Sequence, residues 1–243
     1  MRIPRIYTDQ LLVAQDTCEL GKEAARHLVT VLRLKPGQPV CLFNGQGGEY
    51  SGEIVAASSK SVTVRTTHYN PDNRQSPLRT LLGIGISRAE RFEWVLQKAA
   101  ELGVTEIFPL YTERTEVKLK GDRENKKQAR WHQVLASACE QCGRNLVPVL
   151  HNSQPLQDWL GTEADARLLL HHRTTANLQS LSAETPASVA LLIGPEGGLS
   201  PSEIETGLAS GFQAIALGPR VLRTETAPLA ALSVIQWLWG DYR

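Results

Sequence analysis

Two stretches of this chain are built alike. "LLIGPEGGLSPSEIE" begins at Leu191 and "AIALGPRVLRTETAPLAAL" at Ala214, and in each an apolar run stops at Gly-Pro. The first then turns glycine-rich, the second rich in arginine and threonine. Glycines let a backbone approach a ligand closely and adopt positive φ. Loops of this kind suggest nucleotide phosphates first. No G-x-x-x-x-G-K-[ST] occurs, however, and "GIGISRA" starts as G-x-G without a third glycine. No acidic residue follows at a strand end about 20 residues on, as ribose recognition would need. The loops are also poor in lysine. They suit a mostly uncharged ligand, such as an adenosine group, held by backbone amides and carbonyls.

The elements around these loops must bring them together. From residue 78 the chain alternates: "LRTLLGIG", "VTEIFPLY", "VPVL", "ARLLLHH", "ASVALLIG" and "FQAIALG" read as strands between helical segments. Near-continuous apolar strands alternating with helices predict a parallel sheet covered on both faces. In such a sheet ligands lie outside the carboxyl ends of the strands. "HHRTT" after Leu170 should therefore join the two Gly-Pro loops. "SPSE" predicts a helix start, with Ser200 as N-cap, Pro201 at the first position and Glu203 completing a capping box.

The first part of the chain reads differently. A helical segment, "GKEAARHLVTVLRL", carries Ala24, Ala25, Leu28, Val31 and Leu32 on one face. "PVCLFNG", "EYSGEIVAAS" and "SVTVRTTHY" are short strands separated by turn residues. The organisation is α/β: a small β-barrel domain over 1–70, a polar linker over 71–77 and a mostly parallel α/β domain over 78–243.

Composition narrows the function. The formal net charge is only +1, so nucleic-acid contact must come from local basic patches. No apolar run reaches the roughly 18 residues that span a bilayer. "MRIPRIYTDQ" lacks the apolar segment of a signal peptide, so a cytoplasmic, membrane-free protein is expected. Cys139 and Cys142 in "CEQC" lie late in a helical pattern with no second pair or histidine cluster. They read as reduced, packed cysteines, and no metal is expected.

"MRIPRIY", "ISRAERFEWVLQKAAELGVTEIFPLYTER", "ACEQCGRN", "LLIGPEGGLSPSEI" and "LGPRVLRTETAPLAAL" together resemble the RsmE family of ribosomal RNA small-subunit methyltransferases, in the SPOUT superfamily. The resemblance runs nearly from end to end. It implies a PUA-like barrel that binds RNA and a C-terminal sheet with a trefoil knot made by the last loops and helix. It also implies S-adenosylmethionine as methyl donor, N3 of a uridine in 16S rRNA on the small ribosomal subunit as target, and a homodimer.

By position in the family's motifs, the cofactor pocket falls on Leu170, His171, Ile193, Gly194, Pro195, Glu196, Gly197, Gly198, Leu217, Gly218, Leu222, Arg223 and Thr224. These are the strand-end loops found from the residues alone. The chemistry implied is methylation of a weak acid, the uridine N3–H. Arg220 and Arg223 are candidates to stabilise the uracil anion. Glu196 and Glu225 are candidates for the base or for orienting an arginine, and Arg144 is a candidate from its own or a partner subunit. RNA contact is expected from Arg2, Arg5, Arg33, Lys35 and Arg88, and from the basic run holding Arg114, Lys118, Lys120, Arg123, Lys126, Lys127 and Arg130.

The last helix, "APLAALSVIQWLW", is apolar on more than one face, which suggests burial against another subunit. Two other readings remain open at this stage. One is a non-catalytic RNA-binding ribosome-assembly factor; the other is an enzyme using a different adenine nucleotide. Titration with S-adenosylmethionine separates them.

Overall fold

The computed structural model describes residues 3–117, 119, 121–176 and 184–242, with only the backbone of Ala89. Arg2, Lys118 and Lys120, expected at RNA, lie outside the described residues. The chain divides into two compact units: residues 1–75 with 136–147, and residues 76–135 with 148–243.

The first unit is a curled five-stranded sheet. Its strands are β1 (Arg5–Tyr7), β2 (Thr17–Leu20), β3 (Pro39–Phe43), β4 (Glu49–Ala57) and β5 (Val62–Asn70), in the order β1-β3-β4-β5-β2. β1 runs parallel to β3; the other pairings are antiparallel. Register shifts at Ser51/Gly52 and Ile54/Ala56 bend the long β4–β5 pair. Its core buries Ile6, Leu20, Leu42, Ile54, Val62 and Val64.

The expected helix is present in altered form. α1 (Lys22–Ala25) runs into a π-helical turn, Arg26–Val31, closed by Leu32 N–H donating to the His27 carbonyl. Ala25 and Leu28 are fully buried, but Val31 is 61% and Leu32 40% exposed. Wider winding rotates Val31 and Leu32, at the end of the turn, off the face that a 3.6-residue period assigns them. β2 went unread in the sequence because a four-residue strand with two buried positions has too little periodicity to register.

Arg5 corrects another expectation. Its side chain is 8% exposed and ion-paired to Glu49. It donates to Asn145 Oδ1 at 2.6 Å and the Arg144 carbonyl at 3.2 Å, and lies 4.8 Å from the Phe43 ring centroid. A guanidinium committed in this way is not available to a phosphate.

The second unit is a seven-stranded, wholly parallel sheet. β6 (Arg79–Gly85), β7 (Glu106–Tyr111), β8 (Val149–Leu150), β10 (Ala166–Leu170), β11 (Ser188–Ile193) and β12 (Gln213–Ile215) lie in the order β12-β10-β11-β6-β7-β8, and β9 (Gln154–Pro155) also pairs with β7. β6 and β11 are buried at all but their first residues, as strands covered on both faces must be. Between them come α2 (Ala89–Glu101), α3 (Asp122–Cys142), α4 (Leu156–Trp159) and α5 (Pro201–Ala209), and α6 (Thr226–Trp239) follows the last strand. α3 counts with the second unit up to Leu135 and with the first from Ala136. Cys139 and Cys142 in its last turns are not joined in a disulfide.

A buried polar contact anchors α6. Gln236 is fully buried; its Oε1 accepts from Ser76 Oγ at 2.7 Å and its Nε2 donates to the Leu102 carbonyl at 3.1 Å.

Candidate functional site

Three neighbouring strands end at one height. Leu169 is paired with Leu192 on β11, and Leu170 with Ile215 on β12. The loops after β10, β11 and β12 therefore leave the same edge of the sheet together and enclose a cleft of about 430 Å³. Every residue named for the cofactor pocket lines this cleft, and so does Arg220. Sequence reasoning placed His172 and Val221 in the candidate loops without naming them, and missed Arg91, Ile215, Ala216 and Ala227 on the same wall. Arg91 reaches it from α2, an element without a strand-end signal.

The glycine loop is shaped by close approach. A Cβ on Gly194 would stand 2.7 Å from Leu199 N and 2.8 Å from the Gly198 carbonyl carbon, so the chain doubles back on itself there. Gly198 N–H closes the turn onto the Pro195 carbonyl at 2.8 Å, with Gly198 at φ 68°. Thr224 Oγ1 donates to the Gly194 carbonyl at 3.1 Å and ties the loop after β12 to it. Thr226 and Ala227 N–H both donate to the Arg223 carbonyl at 2.9 Å. The backbone under the exposed Arg223 side chain is thus fixed by the start of α6.

The capping box on α5 is present: Ser200 Oγ accepts from Glu203 N–H, and Glu203 Oε2 accepts from Ser200 N–H at 2.8 Å. The second Glu203 oxygen accepts from Glu113 N–H at 2.8 Å. Beside it, Arg114 Nη1 donates to the carbonyls of Gly197 (2.8 Å) and Leu199 (3.3 Å). The loop after β7 is therefore a fourth support of the site. Arg114, read from sequence within a basic RNA-facing run, holds the glycine loop. Its only sequence signal is a place just after a strand.

The carboxylates separate. Glu196 is on the cleft wall, but its Oε1 accepts from Arg88 N–H at 3.0 Å and lies 3.7 Å from Arg91. It joins the glycine loop to the start of α2. Glu225 is not on the wall, and its Oε2 is shut from solvent with no hydrogen-bond partner among the described residues. Arg144 departs from expectation: it belongs to the first unit, is 4% exposed and donates to Gln75 Oε1 at 2.6 Å. His171 is held below the usual histidine range by burial, then by the charges of His172 and Arg173, which favours its neutral ring.

Of the remaining RNA candidates, Arg33, Lys35, Arg123 and Lys126 are exposed. Arg88 pairs with Glu116 at 2.9 Å, and Lys127 with Glu93 at 3.5 Å. Among the described residues no group of three His, Cys, Asp or Glu side chains is placed to hold a metal, and no helix is long and apolar enough to cross a membrane.

The RNA methyltransferase domain family matches residues 74–236, and the RNA methyltransferase PUA domain family residues 20–67. The chain is 35% identical to the ribosomal RNA small subunit methyltransferase E of Buchnera aphidicola subsp. Schizaphis graminum, over 99% of this chain and 98% of that one. A solved Legionella pneumophila structure, described as a methyltransferase with the bound cofactor SAM, superposes with a TM-score of 0.95 at 41% identity and covers 99% of this chain and 100% of that one. The Neisseria gonorrhoeae ribosomal RNA small subunit methyltransferase E, bound to S-adenosyl methionine, gives 0.91 at 34% identity with both chains fully covered.

Proposed function

The chain belongs to the ribosomal RNA small subunit methyltransferase E family, and from that membership we propose that it methylates N3 of a uridine in 16S rRNA, using S-adenosylmethionine. The observation that carries this reading is the cleft itself. Three level strand ends present backbone amides and carbonyls together with Ile193, Leu217 and Leu222, and the missing Cβ at Gly194 lets the loop close tightly. Apolar walls with convergent backbone groups fit an adenosine. When bound, S-adenosylmethionine supplies a methyl group already activated by its sulfonium.

The chain must then deal with the N3 proton and the uracil anion. The one carboxylate lining the cleft among the described residues, Glu196, is engaged by Arg88 and Arg91. Anion stabilisation by Arg220 and Arg223, with the proton passing to solvent, is therefore the stronger arrangement. Arginine's planar fork can meet a carbonyl oxygen beside a ring nitrogen. One preorganised donor is worth about 10²–10³-fold in rate.

The first unit grips RNA through exposed cations such as Arg33 and Lys35. The outer side of α6, with Val234 and Trp237 exposed and Trp94 of α2 also exposed, is the surface for a second copy. The trefoil threading and a cytoplasmic site of action belong to the same proposal.

Arg223→Ala tests the mechanism. Single-turnover methyl transfer at saturating RNA should fall roughly 10²-fold or more with RNA affinity nearly unchanged, and mass mapping of 16S rRNA should locate the methyl group. A wild-type rate at saturation makes Arg223 a binding residue only. Failure of the wild type to bind S-adenosylmethionine favours an assembly factor instead.

A further inference from the structure

Beside the cleft lies a second hollow of about 360 Å³. The two share a wall: Leu170, His171, His172, Gly194, Gly197 and Gly198 line both. An occupant of one therefore touches the same loops as an occupant of the other.

The rest of the second lining has a distinct character. Arg114 and Arg173 belong to it and not to the first cleft, with Glu205 as the sole carboxylate and Leu199, Pro201 and Ile204 as an apolar floor. Arg114 is held in place by the Gly197 and Leu199 carbonyls through Nη1 alone. Its Nη2 and Nε remain uncommitted among the described residues. A guanidinium fixed on one edge presents the other as a preorganised fork for a planar or tetrahedral oxyanion. Arg173 is exposed, and its charge is felt at His171 across the shared wall. Both guanidinium groups are exposed, so an anion here is held by charge-assisted hydrogen bonds and not by exclusion of water.

We propose that this hollow is an oxyanion subsite that works with the cofactor cleft, with Arg114 and Arg173 as its cations. The proposal rests on the reading of the cleft as an S-adenosylmethionine site serving RNA methylation. Two sources offer the required chemistry: the carboxylate of the cofactor's amino-acid tail, and a phosphodiester of the RNA strand beside the target base.

Arg173→Ala in the full chain is the clean probe, because Arg173 is exposed and makes none of the loop-holding bonds that Arg114 makes. Calorimetry would use S-adenosylmethionine and 5′-methylthioadenosine, which lacks the carboxylate. RNA binding would be followed across a salt series. A charge-assisted hydrogen bond lost here should weaken its ligand about tenfold or more. If the source is the cofactor's carboxylate, S-adenosylmethionine weakens and 5′-methylthioadenosine does not. If it is a phosphodiester, both small ligands bind as before, RNA weakens, and the salt slope becomes shallower by about 1. Arg173→Glu should deepen whichever loss is seen. Unchanged affinity for all three ligands in both variants overturns the subsite, provided the wild type binds S-adenosylmethionine. A wild type that binds neither S-adenosylmethionine nor RNA overturns the parent reading instead.

Discussion

Replacing Gly194 with alanine is the sharpest test of how the cleft is held. The added Cβ would lie 2.7 Å from Leu199 N and 2.8 Å from the Gly198 carbonyl carbon, roughly 0.7 Å inside ordinary contact at about 3.5 Å. Both neighbours are backbone, so no side chain can swing aside. The loop must open, yet Thr224 Oγ1 holds the Gly194 carbonyl and Arg114 Nη1 holds those of Gly197 and Leu199. Overpacking of this kind costs about 1–3 kcal/mol. If the loop stays closed, the cost appears as a lower Tm, about 2–4 °C per kcal/mol for a domain of this size. If the loop relaxes open, the cost appears on binding, and S-adenosylmethionine affinity falls about 5–150-fold. Melts and calorimetric titrations on one preparation measure both parts. Gly198→Ala separates space from backbone strain: no atom lies within 4 Å of its Cβ, but φ is +68°, so a stability loss of about 1–2 kcal/mol is expected. Gly161→Ala, with open space and no positive φ, should change neither quantity. A Gly194→Ala protein that melts and binds like the wild type would refute this tight closure of the loop.

Gln236→Leu should cost about 2–3 kcal/mol in denaturant unfolding, because it strands the Ser76 hydroxyl and the Leu102 carbonyl in a buried place. Adding Ser76→Ala should recover part of that loss, and strictly additive effects would show the contact to be idle. Burial opposes charge on Glu49, but the hydrogen bonds and charges of Arg5, with help from Asn145 and Arg74, still hold its carboxyl below the usual range. Its contribution is therefore complete above the ordinary carboxylate pKa of about 4.3 and is lost as pH falls below it; Glu49→Gln should flatten the acid limb of a Tm-versus-pH curve. Alanine at both Arg123 and Lys126 should make the salt slope of RNA binding shallower by about 1–2 units, with methyl transfer at saturating RNA preserved; an unchanged slope removes α3 from the RNA surface.

What the sequence made legible was local. The strand-end loops could be read because apolar runs stopping at Gly-Pro mark the end of a buried parallel strand, and Ser200-Pro201 with Glu203 marks the helix that follows. What it concealed was pairing across distance. Arg5 looks like an RNA contact in "MRIPR" because its partners, Glu49 and Asn145, stand 44 and 140 residues away. The same holds for Arg114, whose loop-holding role depends on carbonyls 83 and 85 residues on. The π-helical turn was hidden for another reason: the side chains of Arg26–Val31 fit either winding, and only the backbone bond from Leu32 N–H to the His27 carbonyl shows which is adopted.

The discontinuity of the first unit bears on how the protein is made. Arg5 is synthesised well before its partners: its bonds to Asn145 and to the Arg144 carbonyl close only when residues 136–147 have been added. Until then the curled sheet has its strands but lacks part of its polar core, with Glu49 the main partner for a buried guanidinium. The segment around Arg5 must therefore wait for the partner 140 residues later before it can reach its final stability. A gene fragment stopping at residue 70 encodes that waiting state and not a finished domain, so studies of RNA binding by the curled sheet need a chain that extends past Val147.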